Sequence, residues 1–504
     1  MLQPLAIDRA NPLPHYRQLS DQLIEQIQRG YLRSGARLPS TRELATRLGI
    51  HRKSVVRAYE ELALQDWVYT ATGRGTFVSE DLPDIQPQVL TPIEVAAGRG
   101  KSATSGYEGS GGNGPRQPIS GSTHPAAFAS DPHPYLNIPE SVTHLPLHLD
   151  DGLPDPRLIP LIEFERAWKS ALRRGNQYHR LGYASPQGLP PLRQALAEYL
   201  SKTRGLMVSA DHLLLTRGVT HAFHLALTAL VPPATCVIVP ELNWANGNNA
   251  VRFHGATLLP ARLDEKGLDV DHVAELLAAH PVSLIYLTPH HQYPTTVIMP
   301  AGRRIRLLEL ARTYGVHVFE DDYDFDFHYG NVPIMPLASA RHDGRLLYAG
   351  SFTKAISPAF RLGYLVAEPE LIQRLSRIRR IVDRQGDPTL EHALLELFRL
   401  DVLPRSLRRA RSVYQKRRDL LAQLLTDQLG DRATFRVPDG GMAIWTTFTP
   451  DCNLVTAARR AAARGLYFSS GEQYGTERRS TRLGFASSNE EELRRAMEVL
   501  TACL

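Results

Sequence analysis

Cysteine is scarce in this sequence: three residues, Cys236, Cys452 and Cys503, in 504. They are too scattered for a disulfide framework or for zinc-ligand spacing, which excludes a secreted disulfide scaffold and a zinc-finger protein. Long apolar runs are also missing. None reaches the roughly 18 residues that a membrane helix needs. The opening segment, MLQPLAIDRANPLP, lacks the basic-then-apolar pattern of a secretory signal, so a reduced, cytoplasmic protein without a membrane partner is expected. Internal repeats are absent. Charge of one sign is weak, with a net +6 over the whole chain, which permits a polyanionic partner without requiring one. What is present is ordinary for a globular protein, 43% hydrophobic and 22% charged residues. The length points to roughly three domains.

Composition divides the chain into three regions. Residues 9–80 are compact, basic and periodic. Residues 81–143 are rich in Gly, Pro and Ser, as in GYEGSGGNGPRQPISGS, and cannot bury enough apolar surface to fold, so a flexible linker is expected. From 144 to 504, apolar strands such as HLLLT, TCVIVP, VSLIYLTP and GVHVFEDD alternate with helical patterns, which predicts an α/β body with a mainly parallel sheet. Its last part, from about 400, is expected to form a smaller subdomain.

The first region carries the cues of a DNA reader. Ser40 or Thr41 can cap a helix with Leu44, Ala45 and Leu48 on its apolar face. Gly49 permits a sharp turn. A second helix, from about His51 to Gln65, turns Val55, Val56, Tyr59 and Leu62 inward, and WVYTATGRGTFVS closes the unit as a two-stranded wing with Gly73 and Gly75 at its tip. This is a helix-turn-helix whose second helix reads DNA. Arg37, Arg42, Arg47, Arg52, Lys53 and Arg57 make the region basic. A solvated basic face would explain the charge but not the turn and the wing.

The second cue is GSFTKAISPAFRLGYLV, residues 350–366. Ser351 to Lys354 fits S-x-x-K, but the partner motifs S-D-N and K-T-G occur nowhere in the chain. The other reading makes Lys354 a Schiff-base nucleophile for the aldehyde cofactor pyridoxal 5′-phosphate. A surface lysine is the ordinary alternative, and the companions decide against it. In FEDDYDFDF, alternation sets Asp321 and Tyr323 on one face at the carboxyl end of a buried strand. Asp321 can keep a pyridine nitrogen protonated and Tyr323 can bond the ring hydroxyl. A helix cap or an acidic metal cluster is the competing reading. In LLLTRGVTHAFHLALTAL, the amides of Gly218, Val219 and Thr220 open a helix and suit a phosphate. His221 and His224 mimic a metal pair but read better as surface or half-buried side chains. Ser351, Thr353 and Arg361 complete the phosphate cup. GRGKS, at 98–102, imitates a P-loop end, but Val95 replaces the first glycine and no strand precedes it.

Two resemblances cover most of the chain. LPSTRELATRLGIHRKSVVRAYEEL with GRGTFV resembles the GntR-type winged helix. That resemblance implies that Arg42 opens the helix-turn-helix, that His51, Arg52, Lys53 and Ser54 open the recognition helix, and that Arg74 and Gly75 bring the wing to the minor groove. Arg52 is the candidate for a bidentate guanine contact, while Lys53 and Arg42 can equally hold phosphates. LGYASPQGLPPLRQALAEYL, TRGVTHA, PHHQYPTT, EDDYD, GSFTKAISPAFRLGY and TRLGFASSNEEEL resemble the aminotransferase fold of pyridoxal phosphate enzymes (fold type I), from about 147 to the end. The order of parts resembles the MocR/GabR class of regulators.

The resemblance implies Lys354 as the aldimine lysine, Asp321 at the pyridine nitrogen, Tyr323 at the ring oxygen, Arg361 at the phosphate, Arg482 for an effector carboxylate and Trp244 near the ring. It further implies a homodimer, a double-stranded DNA operator, and an amino-compound effector sensed by aldimine exchange. A working aminotransferase that carries a DNA-binding head is the alternative, and residual transamination is compatible with either. The chain departs from the family pattern in YPTT, where Tyr293 stands at the position of a ring-oxygen asparagine. It departs again at Thr220–His221, at Ser185 in SPQG, and at Trp244 in ELNWANG. These departures bear on turnover and on effector class. The sequence names neither the effector nor the operator.

Overall fold

The computed structural model describes residues 4–11, 13–71, 73–80, 135, 144–173, 181–330, 334–474 and 479–504. The expected linker, apart from residue 135, and the GRGKS segment lie outside the described residues. The chain forms two compact units, residues 1–120 and 121–504.

In the first unit, α1 (His15–Gln28), α2 (Thr41–Leu48) and α3 (Arg52–Leu64) precede an antiparallel wing of β1 (Val68–Ala71) and β2 (Gly75–Val78). Ser40 caps α2 by accepting from the Glu43 amide at 3.2 Å, and Gly49 ends it in the left-handed region at φ 61°. A glycine suits that conformation because it has no Cβ to clash. Leu19, Leu23, Leu44, Val55, Ala58 and Leu62 are fully buried and form one core. Fully burying each large aliphatic chain contributes about 1.5–3 kcal/mol, enough to hold three short helices whose isolated propensity is marginal. Val56, expected inside, is only half-buried, and Ala58 takes the inner position.

The second unit is built on a seven-stranded sheet. Its strands follow β3 (Leu147–Leu149) and comprise β4 (Leu213–Thr216), β5 (Cys236–Pro240) and β6 (Thr257–Ala261), and, after a short ribbon of β7 (Leu263–Asp264) and β8 (Gly267–Leu268), β9 (Val282–Leu287), β10 (His317–Asp322), β11 (Leu346–Ser351) and β12 (Gly363–Val366). Their order is β4-β12-β11-β10-β9-β5-β6. All neighbours are parallel except around β12, which runs antiparallel to both β4 and β11. Side chains alternate between two cores. Leu213, Leu215, Ile285 and Val318 enter one, while Leu214, Leu284, Tyr286 and Phe319 enter the other. This explains why these strands read as continuous apolar runs: both faces are covered.

A smaller layer follows the long helix Val402–Leu429. It holds an antiparallel sheet of β13 (Ala433–Phe435), β14 (Ala443–Phe448) and β16 (Ser480–Gly484), and a parallel pair of β15 (Leu466–Phe468) with β3. No helix among the described residues is long and apolar enough to cross a membrane.

Candidate cofactor site and DNA-reading face

The carboxyl ends of the parallel strands deliver the polar groups. β11 ends at Ser351, whose side chain accepts from the Thr353 amide at 3.0 Å and starts a single helical turn, Phe352–Ala355, that carries Lys354. The chain then returns along β12, and Arg361 precedes it at a positive φ of 44°. The Arg361 guanidinium donates to the Arg217 carbonyl at 3.0 Å, beside the start of the helix Val219–Leu230. Gly218 caps that helix at φ 80°, and a Cβ there would lie 3.3 Å from Arg361 Nη2. Glycine therefore keeps open the space between the helix amides and the arginine, as a bound phosphate requires.

Asp321 faces the core that contains Tyr286, as alternation along β10 predicts. The Tyr286 hydroxyl donates to Asp321 Oδ2 at 2.8 Å, and Oδ1 has no partner. Burial pushes the Asp321 carboxyl up to about 7 against its ordinary 3.8, with the Tyr286 bond opposing and Asp322 and Asp324 adding to the rise. Burial lowers the Lys354 amine, opposed by Asp151 and Asp150. The amine donates to the Gly152 carbonyl. A desolvated lysine with a lowered pKa is the form in which an amine attacks a carbonyl.

These groups line one cavity of about 230 Å³. Val219, Thr220, Trp244, Tyr293, Asp321, Tyr323, Ser351, Thr353, Lys354, Arg361 and Arg482 all face it, and Gly218 adjoins it. Tyr323 donates to the His291 carbonyl at 3.2 Å. Arg482, on β16 and 2% exposed, sits with Asp151 at 2.6 Å. Tyr293 donates to the other Asp151 oxygen at 2.9 Å and meets the Tyr474 hydroxyl at 2.7 Å.

Asp151 and Tyr286 line the same cavity and Tyr474 backs it through Tyr293, and sequence reasoning missed all three. Tyr286 was accessible in principle, since it lies on the same sheet face as Asp321 one strand away. Asp151 had no local signal. Two of the acids beside Asp321 are engaged elsewhere: Asp322 accepts from Tyr348 at 2.7 Å, and Glu320 accepts from the Leu337 and Ala338 amides at 2.8 and 2.9 Å. His221 and His224 have partners of their own. His221 Nδ1 accepts from the Arg217 amide at 3.1 Å, and the His224 ring packs edge-on against His254.

In the first unit, Arg42, His51, Arg52, Lys53 and Arg74 are exposed, and Ser54 and Gly75 are half-buried. His51 is the cap of α3, its Nδ1 accepting from the Lys53 amide at 3.1 Å. Arg52 Nε reaches Thr41 Oγ1 at 3.3 Å, which ties the start of α3 to the start of α2. Two other basic residues pack within the unit: the Arg57 guanidinium lies 4.1 Å over the Tyr16 ring, and Arg37 lies against Gly75, where a Cβ would fall 2.9 Å from its Nε.

A basic winged helix on one unit and a lysine–aspartate–arginine cavity on the other define a DNA-binding regulator with a pyridoxal-phosphate-type body. Comparison with known proteins agrees. Residues 159–500 match the family described as aminotransferase class I and II, and residues 15–78 match the bacterial regulatory proteins of the gntR family. The chain is 26% identical over 468 residues to the probable rhizopine catabolism regulatory protein MocR of Rhizobium meliloti, covering 92% of this chain and 88% of that protein. It is 29% identical over 497 residues to the HTH-type pyridoxine biosynthesis transcriptional regulator PdxR of Corynebacterium glutamicum, covering 97% and 96%. Among solved structures, LysN, an α-aminoadipate aminotransferase from Thermus thermophilus complexed with N-(5′-phosphopyridoxyl)-L-leucine, is similar with a TM-score of 0.66 and 26% identity, covering 71% of this chain and 92% of that one.

The chain belongs to the aminotransferase class I and II family and carries a gntR-family head, which makes it a transcriptional regulator of the MocR and PdxR kind. Its body is a fold type I domain, and its cofactor is pyridoxal 5′-phosphate. The residues fit that group. Asp321 Oδ1 is buried and unpartnered, the Gly218 cradle has space that a side chain would fill, and the Lys354 amine is desolvated.

Proposed function

We propose that the body senses a small amino compound at Lys354 and that this changes how the head engages a DNA operator. Bound pyridoxal phosphate supplies an aldehyde carbon with which an amine can condense. Lys354 provides the resident amine, with its pKa lowered so that the neutral form is accessible. Asp321 would receive the pyridine nitrogen, with Tyr286 holding its other oxygen. Tyr323 would serve the ring oxygen, Trp244 the ring, and Gly218, Val219, Thr220, Ser351, Thr353 and Arg361 the phosphate. Arg482 is the anchor for an effector carboxylate, and Asp151 must give way when one arrives. The convergence of Lys354, Asp321 and Arg482 on one small cavity carries this reading.

In the head, Arg52 reads a base edge and Arg42, His51, Lys53, Ser54, Arg74 and Gly75 position it on the duplex. The division into 9–80, 81–143 and 144–504 belongs to the same proposal, with the last part from about 400 as the smaller subdomain. So does a homodimer, for which the exposed Leu161, Ile162 and Phe253 offer apolar surface. An effector acts by favouring one of two states of the body. A cytoplasmic location follows from an operator as partner.

Lys354, Asp321 and Arg482 in one cavity also support a second reading, a working aminotransferase, against which the Tyr293 departure counts. One experiment separates the two. The visible cofactor absorption of the full chain and of Lys354→Ala is recorded while amines are added, with operator affinity measured in parallel. The sensor reading expects a band that Lys354→Ala alters, a spectral response to selected amines, and a matching change in DNA affinity. Sustained keto-acid production with no change in DNA affinity would support the enzyme instead.

A further inference from the structure

We propose that His290, His291 and His328 form a buried binding site for a divalent transition metal of the zinc class, next to the cofactor cavity and independent of the sensing reading. His290 and His291 follow β9, and His328 follows the short turn after β10, so two adjacent parallel strands bring the three rings together. One nitrogen from each ring lies within 4.8 Å of the others. Three imidazoles around zinc, at about 2.0–2.1 Å each, sit roughly 3.4 Å apart, so small ring rotations close the set.

His290 and His291 keep ring nitrogens that no protein group uses. A buried histidine in a purely structural role ordinarily uses at least one ring nitrogen. His290 is 1% exposed, and neither of its ring nitrogens has a partner. His291 is equally buried and uses only Nδ1, which meets Asp324 Oδ1 at 2.7 Å, while its Nε2 has no partner. A carboxylate on one imidazole nitrogen fixes the tautomer that presents a lone pair at the other, the usual support for a metal-bound histidine. Gly440 keeps the space beside that lone pair clear, since a Cβ there would lie 2.1 Å from His291 Nε2. Nitrogen ligands in a neutral set of this kind suit zinc, nickel, cobalt or copper rather than magnesium or calcium.

The location gives the site a consequence. The Tyr323 hydroxyl rests on the His291 carbonyl. His328 bridges Gly440 through the backbone, and the Tyr329 hydroxyl donates to the Gly441 carbonyl at 2.6 Å, just before β14. A metal would therefore tie the strand ends beside the cavity to the turn that leads into β14, the neighbour of the strand that carries Arg482.

The test uses untagged, cofactor-loaded full-length protein, stripped with a chelator and dialysed against Zn²⁺. Elemental analysis should find one zinc per chain after gel filtration, and X-ray absorption should show imidazole scattering around it. His290→Ala and His328→Ala should each weaken zinc binding at least about tenfold while the visible cofactor band persists. A wild-type chain that emerges without zinc, or both variants retaining it at full affinity, would overturn the site. If a variant does not fold, the wild-type absorption spectrum decides: zinc bound without imidazole scattering refutes the proposal.

Discussion

Arg482 and Asp151 meet at 2.6 Å at the cofactor cavity, so the cation proposed to receive an effector carboxylate already holds one from its own chain. Tyr293 steadies that carboxylate at 2.9 Å. A carboxylated amine must therefore compete with a tethered acid, which sets a threshold for response and favours ligands that bring further contacts.

Removing that competitor should sensitise the protein. Asp151→Asn is expected to raise the affinity for simple amino acids about tenfold, or about 1.4 kcal/mol, read by titrating the cofactor's visible spectrum. It should leave the response to amines without a carboxylate nearly unchanged. Equal effects on both ligand classes would refute competition at Arg482.

The buried Asp321 carboxyl makes the cofactor-free body sensitive to pH. Its pKa in the native state is about 7 against an ordinary 3.8, so the native state keeps a proton that the unfolded chain has released. Stability should fall as pH rises through that interval, by up to about 1.4 kcal/mol per unit from this group. Glu320, pushed up to about 8 by burial and by Asp322, acts in the same direction. Denaturant melts of cofactor-free wild type and Asp321→Asn between pH 5 and 8 should diverge, with the variant gaining relative stability as pH rises. Parallel curves would contradict the assignment.

On the DNA side, Arg52→Ala should cost about 1–3 kcal/mol against the operator and relax preference at one base pair. Lys53→Ala should weaken binding to all sequences alike and reduce the salt slope by about 1. Affinity measured on operator and scrambled duplexes at several salt concentrations separates the two. An Arg52→Ala protein with intact affinity and specificity would move the reading contact elsewhere.

Ser40 holds the first turn of α2 through the Glu43 amide. Ser40→Ala should lower the stability of the head by about 1 kcal/mol, seen as an earlier transition in thermal melts.

The features set by local pattern were legible in the sequence. Lys354, Asp321 and the Gly218 turn each sit where a strand stops and a helix or turn begins, and the alternation that separates Asp321 from Asp322 is a property of any strand. The features that require knowing which strands are neighbours were not. His328 joins His290 and His291 only because β9 and β10 are adjacent, and no spacing rule announces that. Asp151 reaches Arg482 across more than three hundred residues of chain, from LHLDDGLPDPRLIPL, where the family resemblance begins but assigns the residue no role. His51 is exposed, as a DNA contact requires, but its work as the α3 cap depends on a backbone angle that composition does not reveal.

The pairing of β3 with β15 in the smaller layer has a consequence for signalling. Two residues beyond β3, Asp151 touches Arg482, and one further on, the Gly152 carbonyl holds the Lys354 amine. Asp151 and Arg482 thus both belong to the smaller layer, one just past β3 and the other on β16, so a displacement of that layer against the seven-stranded sheet acts on the Lys354 amine and on Arg482 at the same moment.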